Sequence, residues 1–460
     1  MPFNRFQIRL YRWLLFIGIS HAILGIVFIF IANTSLIQPY LNTVFATFAV
    51  EDTPNNSALF SSFLQFFGPT ISSWGILLCI SVFHYYHFGN LRTKIIISAA
   101  LLIWFILDSG LSILNGFYTH LIINSLAFFA FFPAFLLLKT NSINNPSNNT
   151  LTIFDRYKKN NKTILITGGT GFIGKRLVQT LKHLDHNIYV LTRSPSKYSN
   201  ESKLHYIQSL NDIHNKLNID VIINLAGESL ASGRWTKKQK ERFLDSRIQS
   251  TKTIEQLVTR LHVKPELLIN GSAIGFYGAQ QDEELDEQST FTDCFSHQLC
   301  KQWEQTALTL KQHNVRVCLL RIGIVLGNNG GPLAQLRLPF EFGVLMQIGN
   351  GKQWMSWIHR DDLISMMLYC IENTQLNGPI NGTAPQPVTN QVFAQRLSQH
   401  IKTIVKIVVP AKLLSIIVGE LADEVLITGQ RVIPKKMQDN DFEFNYPDLD
   451  SALKQIIDIR

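Results

Sequence analysis

Apolar positions along this chain follow two different rhythms. Through the first 140 residues they form long, nearly unbroken runs; after about residue 160 they come in runs of strand length separated by amphipathic stretches. Four early runs, residues 11–32, 68–88, 94–114 and 120–138, approach the roughly 20 apolar residues that cross a bilayer. They predict four transmembrane helices. Two shorter pieces, 40–50 and 58–67, cannot span and predict interfacial or re-entrant helices. Residues 141–149, NSINNPSNN, have no periodicity and open a polar linker that is taken to end at 161. Beyond it, segments at 164–166, 187–191, 220–226, 267–272 and 315–322 read as buried strands. Those at 175–184, 236–260 and 297–312 read as helices. Strands alternating with helices imply a parallel sheet covered on both faces.

Charge gives the runs a direction. Arg5, Arg9 and Arg12 precede the first, and the loop 33–67 has no Lys or Arg. Arg92 and Lys94 separate the second and third, the turn 115–119 is uncharged, and Lys139, Arg156, Lys158 and Lys159 follow the fourth. By the positive-inside rule both termini and the second half lie in the cytoplasm, with the chain multi-pass in the cytoplasmic (inner) membrane. Membrane edges thus account for part of the +9 net charge. No basic stripe calls for nucleic acid. Cys79, Cys294, Cys300, Cys318 and Cys370 are scattered without a C-x-x-C, and no metal site is expected. Asp108 falls inside the third run, where a carboxylate is costly unless paired. His84 and His87 are candidate partners; a buried hydrogen bond to Ser or backbone is the structural alternative.

Residues 163–174, TILITGGTGFIG, carry the densest chemistry. Gly168 permits a tight turn after a strand, Gly171 lets backbone approach a phosphate, and Gly174 allows close helix–strand packing. With Thr170, Phe172 and Ile173 they would place a pyrophosphate on a helix N-terminus. Arg193 ends the next strand, where an acidic residue would bind the ribose hydroxyls of NAD; an arginine suits the 2′-phosphate of NADP(H). Asn224, Ala226 and Gly227 would line the same crevice. The fold class is therefore an α/β Rossmann-type doubly wound parallel sheet over residues 162–400, with interleaved substrate-region segments. An all-α four-helix transmembrane domain (1–140) precedes it and a small C-terminal substrate subdomain (401–460) follows.

TGGTGFIG, NLAGESL, RWTKKQKERFLDSRIQST, GSAIGFYG, CKQWE, LRIGIVLG and WIHRDDL together resemble the atypical extended short-chain dehydrogenase/reductases. More narrowly, they resemble the NADP-binding epimerase family proteins, of the NAD-dependent epimerase/dehydratase type. The end of the chain is similar to that group's small C-terminal domain. The first 140 residues lie outside this resemblance and look like small four-span modules of the DoxX-like type. The resemblance implies a Ser and a Tyr-x-x-x-Lys pair at the site. Ser272 fills the first place, but the positions of the pair hold Cys300 and Glu304, and Tyr277 in GFYG is a third proton-handling candidate. The alternative is that Cys300 is packed core and Glu304 a cap. Glu228, Arg234 and Arg321 are candidate substrate-binding residues. Loop anchoring, or pairing with a carboxylate for Arg321, is their structural alternative; Arg247 is a further charged residue facing that loop.

Two functions remain in play. One is a membrane-tethered NADP(H)-dependent oxidoreductase or epimerase-like enzyme acting on an alcohol or carbonyl, with Ser272 polarising the oxygen. The other is a non-catalytic NADP(H)-binding sensor coupled to the membrane part, favoured by the missing Tyr-Lys pair. The retained Ser272 and C-terminal domain favour the enzyme. Expected partners are the bilayer and an unidentified small molecule, a homo-oligomer being open.

Overall fold

The computed structural model describes residues 5–88, 91–139, 151–159, 161–328, 330–341, 343–401 and 403–458. They fall into two compact units, within residues 1–145 and 146–459.

In the first unit, α1 (Arg5–Ile31), α3 (Pro54–Phe88), α4 (Leu91–Leu114) and α5 (Tyr118–Leu137) are long and apolar enough to cross a membrane. The short run at 40–50 lies on α2 (Gln38–Phe48). The run at 58–67 is not a separate element. It is the first part of α3, whose 35 residues continue through Pro69. At about 1.5 Å per residue α3 is roughly 52 Å long, well beyond a hydrocarbon core of about 30 Å. Glycines set the approach of α1 to α3. A Cβ on Gly68 would lie 2.5 Å from the Gly25 carbonyl oxygen, and one on Gly75 would lie 2.5 Å from that of Gly18. Small residues at such crossings let helix backbones touch where hydrocarbon offers no hydrophobic drive. Ser72 Oγ donates to the Ala22 carbonyl across the seam, at 2.8 Å.

The second unit is built on seven parallel strands. β1 (Thr163–Thr167), β2 (Asn187–Leu191), β3 (Leu204–Ile207), β4 (Val221–Asn224) and β5 (Leu267–Ala273) are joined by strands Arg316–Ile322 and Gly378–Gly382. From one edge to the other the order is Gly378–Gly382, Arg316–Ile322, β5, β4, β1, β2, β3. The order reverses at β1 and β4, so the crevice above their carboxyl ends is the place where such folds bind ligands. Helix α6 (Phe172–His183) packs Leu177, Val178 and Leu181 against Ile164, Ile166 and Val190 on one face. Helix α7 (Lys237–Arg260) covers the other with Ile254, Leu257 and Val258 against Leu165, Ile222 and Leu268.

Residues 141–150 and 160, about half of the predicted linker, lie outside the described residues. Its remainder is not a loose tether: Phe154 and Tyr157 are buried in the sheet's core, with the Tyr157 hydroxyl donating to the Ser365 carbonyl at 3.0 Å. The last residues share a core with interleaved segments, Leu449, Leu453 and Ile456 packing on Trp357, Phe393 and Leu397. The helix Ala411–Val418 and the strand Val405–Val409 instead leave Leu413, Ile416, Ile407 and Val408 exposed.

Candidate active site

The glycine loop has the geometry that a dinucleotide needs. Gly168 sits at φ +70°, and a Cβ there would lie 2.6 Å from the Leu225 carbonyl oxygen, so only glycine fits the turn. Gly174 is pressed on Gly169, which brings α6 against the strand. Gly171 precedes α6 and is open: a Cβ there would meet only the Gly168 oxygen, at 3.2 Å. The first backbone N–H groups of α6, from Phe172 and Ile173, have no helical acceptors and face outward from its N-terminus. The Phe172 ring packs on Gly330 and Gly331 and lies 4.8 Å from the Arg360 guanidinium. Thr170 is half-buried between the glycines. Arg193 is exposed just beyond β2. These features fit an NAD(P) pyrophosphate and adenosine end.

Asn224 is placed differently from the expectation. It is fully buried beneath the crevice. Its side chain accepts from Thr167 Oγ1 at 2.6 Å and donates to Asn270 at 2.6 Å and Thr251 at 3.0 Å. It therefore ties β1, β4 and β5 together and leaves Ala226 and Gly227 to form the surface above.

Ser272, Tyr277, Glu304 and Arg321 come together in one buried network. Ser272 ends β5, Tyr277 closes the single turn Ile274–Tyr277, Glu304 lies on α8 (Phe295–Leu308), and Arg321 is on the strand Arg316–Ile322. Ser272 Oγ donates to Glu304 Oε1 at 2.7 Å. Arg321 holds the same carboxylate with both prongs, Nε to Oε1 at 2.9 Å and Nη2 to Oε2 at 3.0 Å. Its Nη1 donates to the Tyr277 hydroxyl at 3.0 Å, which donates onward to Asn381 Oδ1 at 2.7 Å. The Phe276 ring covers the guanidinium, with its centroid 3.4 Å away. Arg321 is thus paired with Glu304, a partner 17 residues away on another element. Tyr277 is fully buried, and burial pushes its hydroxyl up to about 12 despite Arg321.

Cys300 lies one turn before Glu304 on α8, also buried, with its thiol 3.7 Å from the Ala273 carbonyl. Burial first, then the Glu304 charge, push the thiol up to about 11, so it keeps its proton at neutral pH.

The loop after β4 is braced. Glu228 accepts from Gln239 at 2.8 Å and from Ser232 at 3.2 Å, and pairs with Arg242 at 3.3 Å. The Gln239 hydrogen bond, with Arg242 and Arg193 nearby, holds its carboxyl below the usual range. Arg234 donates to the Ile416 carbonyl at 2.8 Å and fastens the loop to the C-terminal segment. That segment also steadies α8: Glu424 accepts from the backbone of Ser296 at 2.9 Å and of Phe295 at 3.2 Å, at the helix N-terminus.

Arg247 on α7 completes the site. Its guanidinium carbon would be 3.0 Å from a Cβ on Gly227, and it stands 5.1 Å from the Trp303 ring. Nη1 donates to the Phe243 carbonyl at 3.0 Å. Its charge acts on the Cys300 thiol. A cation therefore borders the crevice near the Cys300 thiol. The sequence signal for it was weak, since Arg247 is one of several basic residues on a highly charged helix. Among the described residues no cluster of three His, Cys, Asp or Glu side chains could hold a metal.

A family model for the NAD dependent epimerase/dehydratase family matches residues 164–381, and one for a domain of unknown function (DUF1731) matches 409–456. The epimerase family protein YfhF of Bacillus subtilis is 36% identical over 299 residues, which are 64% of this chain and 97% of the relative. The chain belongs to the epimerase family proteins. The family protein SERP0438 of Staphylococcus epidermidis is 38% identical over 299 residues, 64% of this chain and 99% of the relative. Among solved structures, human epimerase family protein SDR39U1 (isoform 2) with NADPH superposes with a TM-score of 0.58 at 28% identity. It covers 64% of this chain and 99% of that one. A nucleoside-diphosphate sugar epimerase from Corynebacterium glutamicum gives 0.54 at 27%, covering 67% and 61%. The second unit of this family member is an NAD(P)-binding Rossmann unit with oxidoreductase or epimerase-type chemistry on an unspecified substrate.

Proposed function

We propose that the chain is a membrane-anchored, NADP(H)-preferring oxidoreductase or epimerase-like enzyme that interconverts an alcohol and a carbonyl, the alcohol donating its hydroxyl to Ser272. The observation that carries the reading is the pinning of the Ser272 proton on a carboxylate that Arg321 already holds in place. With that proton spent, the Ser272 oxygen accepts a hydrogen bond rather than giving one, so it orients a substrate alcohol. Negative charge developing on the substrate oxygen is met by Arg247 at the crevice edge, and the Cys300 thiol, neutral and donating to the Ala273 carbonyl, is no thiolate nucleophile. Glu304 is a positioning residue for Ser272, and Tyr277 with Asn381 braces Arg321. When bound, a nicotinamide supplies or accepts the hydride. Arg193 and the NADPH of the human relative support the phosphate-bearing cofactor. Four apolar helices, with basic residues placed as in cytoplasmic loops, support a multi-pass protein of the cytoplasmic membrane with this unit on the cytoplasmic side.

Titrating the full chain in detergent with NADPH and NADH, then following oxidation with small carbonyl compounds, tests the reading. NADPH is expected to bind at least tenfold tighter than NADH, and Arg193→Asp to erase most of that ratio. Equal losses for both cofactors in Arg193→Asp would remove the arginine from the choice. Binding without any turnover would favour the sensor alternative.

A further inference from the structure

The first unit holds a partly open cavity of about 800 Å³, lined from all five of its α-helices. Its walls are mainly Phe, Leu and Ile, with Trp74 and Trp104 6.3 Å apart along one side. Asp108 is the one Asp, Glu, Lys or Arg in the lining. His84 of α3 is not its partner. His84 is near the end of α3, next to where α4 begins, whereas Asp108 is about 25 Å further along α4 at the usual rise. The His87 side chain lies outside the described residues. Asp108 instead meets α5: Asn124 Nδ2 donates to its carboxylate, and His120 Nε2 stands 4.0 Å away. The other nitrogen of His120 is 2.9 Å from Ser112 Oγ, which donates to the Asp108 carbonyl at 2.8 Å. A third of the Asp108 side-chain surface remains accessible. Helix α2 covers this end, with Tyr40 and Phe48 against Phe117 at 6.3 and 5.8 Å between ring centres.

The cavity therefore has two chemistries. One end offers a carboxylate with a nearby imidazole and no lysine or arginine; apart from His21, which turns Nδ1 to the Ile17 carbonyl at 3.0 Å, and Thr70, the remainder is aliphatic and aromatic. Its volume lies within the roughly 300–1,000 Å³ of small-molecule sites. A carboxylate in such surroundings calls for a donor or a positive charge. We propose that this cavity binds an amphiphile with a cationic, hydrogen-bond-donating head group, a long-chain amine in the simplest form. The head lies at Asp108, His120 and Asn124, and the apolar chain runs along Trp74 and Trp104. The proposal is independent of the chemistry assigned to the second unit.

The test uses the full chain in detergent and three brominated C12 probes that differ only at the head: amine, alcohol and carboxylic acid. Bromine quenches tryptophan at short range. The amine is expected to quench saturably, at a concentration at least tenfold below the acid, and the signal to vanish in the Trp74→Phe/Trp104→Phe protein. Asp108→Asn should bring the amine to within about twofold of the alcohol. Ala127→Phe, which fills the cavity and leaves Asp108 untouched, should weaken all three probes. Equal quenching by the three heads overturns the proposal. So does an amine preference that survives Asp108→Asn, or saturable binding unchanged by Ala127→Phe in a protein with parental helix content.

Discussion

Two buried arginine–carboxylate pairs in the second unit have nearly the same geometry and different consequences. Arg176 on α6 grips Asp361 on the helix Arg360–Glu372 with Nε and Nη2, both at 2.8 Å. Arg321 grips Glu304 at 2.9 and 3.0 Å. All four side chains are at most 7% exposed. The first pair joins two helices. In the second pair one carboxylate oxygen also receives Ser272, at the carboxyl end of a central strand. An ion pair becomes part of a site when a third group connects it to a crevice. The pair itself brings order rather than reactivity.

The largest effect should come from breaking either pair on one side only. Arg176→Met and Arg321→Met each leave a carboxylate buried without its cation, which typically costs about 3–5 kcal/mol. Thermal and denaturant unfolding should register similar losses for both. A loss below about 1 kcal/mol at Arg321 would mean that Glu304 reaches water or another donor. The comparison sharpens with the paired changes. Arg176→Met/Asp361→Leu and Arg321→Met/Glu304→Leu should each recover most of the stability, since apolar replacements of whole pairs are often neutral. Only the second should leave turnover depressed, because Ser272 has then lost its acceptor.

Ser272→Ala is the next step down in stability. It removes one hydrogen bond to a charged group, worth about 1.5–3 kcal/mol at most, and leaves the salt bridge intact. Its effect should fall on chemistry instead: turnover down at least tenfold, with NADPH affinity within about twofold of the parent. A parental turnover would take Ser272 out of the reacting centre, and a matched fall in NADPH affinity would mean that it shapes the cofactor crevice.

The sequence was most legible where a local pattern dictates structure. The strand–glycine–helix run at 163–174 needs no distant partner to be recognised, because each glycine answers a constraint within the same turn. Pairing was illegible where the fold alone creates the neighbour. Arg321 and Glu304 meet because a strand and a helix are brought together across the sheet, and no spacing in the chain encodes that. Asp108 shows a related limit within the first unit: its partners come from α5, which folds back after the turn at 115–117, while His84 sits at the opposite end of α4. Helix α3 runs unbroken through the expected boundary at 67/68, where Gly68 lies against Gly25 of α1.

The smallest effect separates the two regions by pH. Burial would raise the Asp361 carboxyl, but Arg176, His359 and Arg360 outweigh it and hold the group low. A depressed carboxyl stabilises the fold above its unfolded value of about 3.9, and that contribution is lost as pH falls below it. Glu287, which braces Asn381 behind Tyr277 through its backbone N–H at 3.0 Å, has the opposite sign. Burial raises it, and the hydrogen bonds from Asn381 and Lys436 only partly offset this. A raised carboxyl favours the fold below its unfolded value of about 4.3, and that advantage is lost as pH climbs through the raised value. Melting temperature followed from pH 3 to 8 should therefore fall less steeply above about pH 4.3 in Glu287→Gln than in the parent, while the acid limb stays unchanged. Asp361→Asn should do the reverse and shrink the acid limb alone. Parallel profiles for Glu287→Gln and the parent would show that the site end of the network carries no proton linkage of its own, and the contrast between the two pairs would then rest on Ser272 alone.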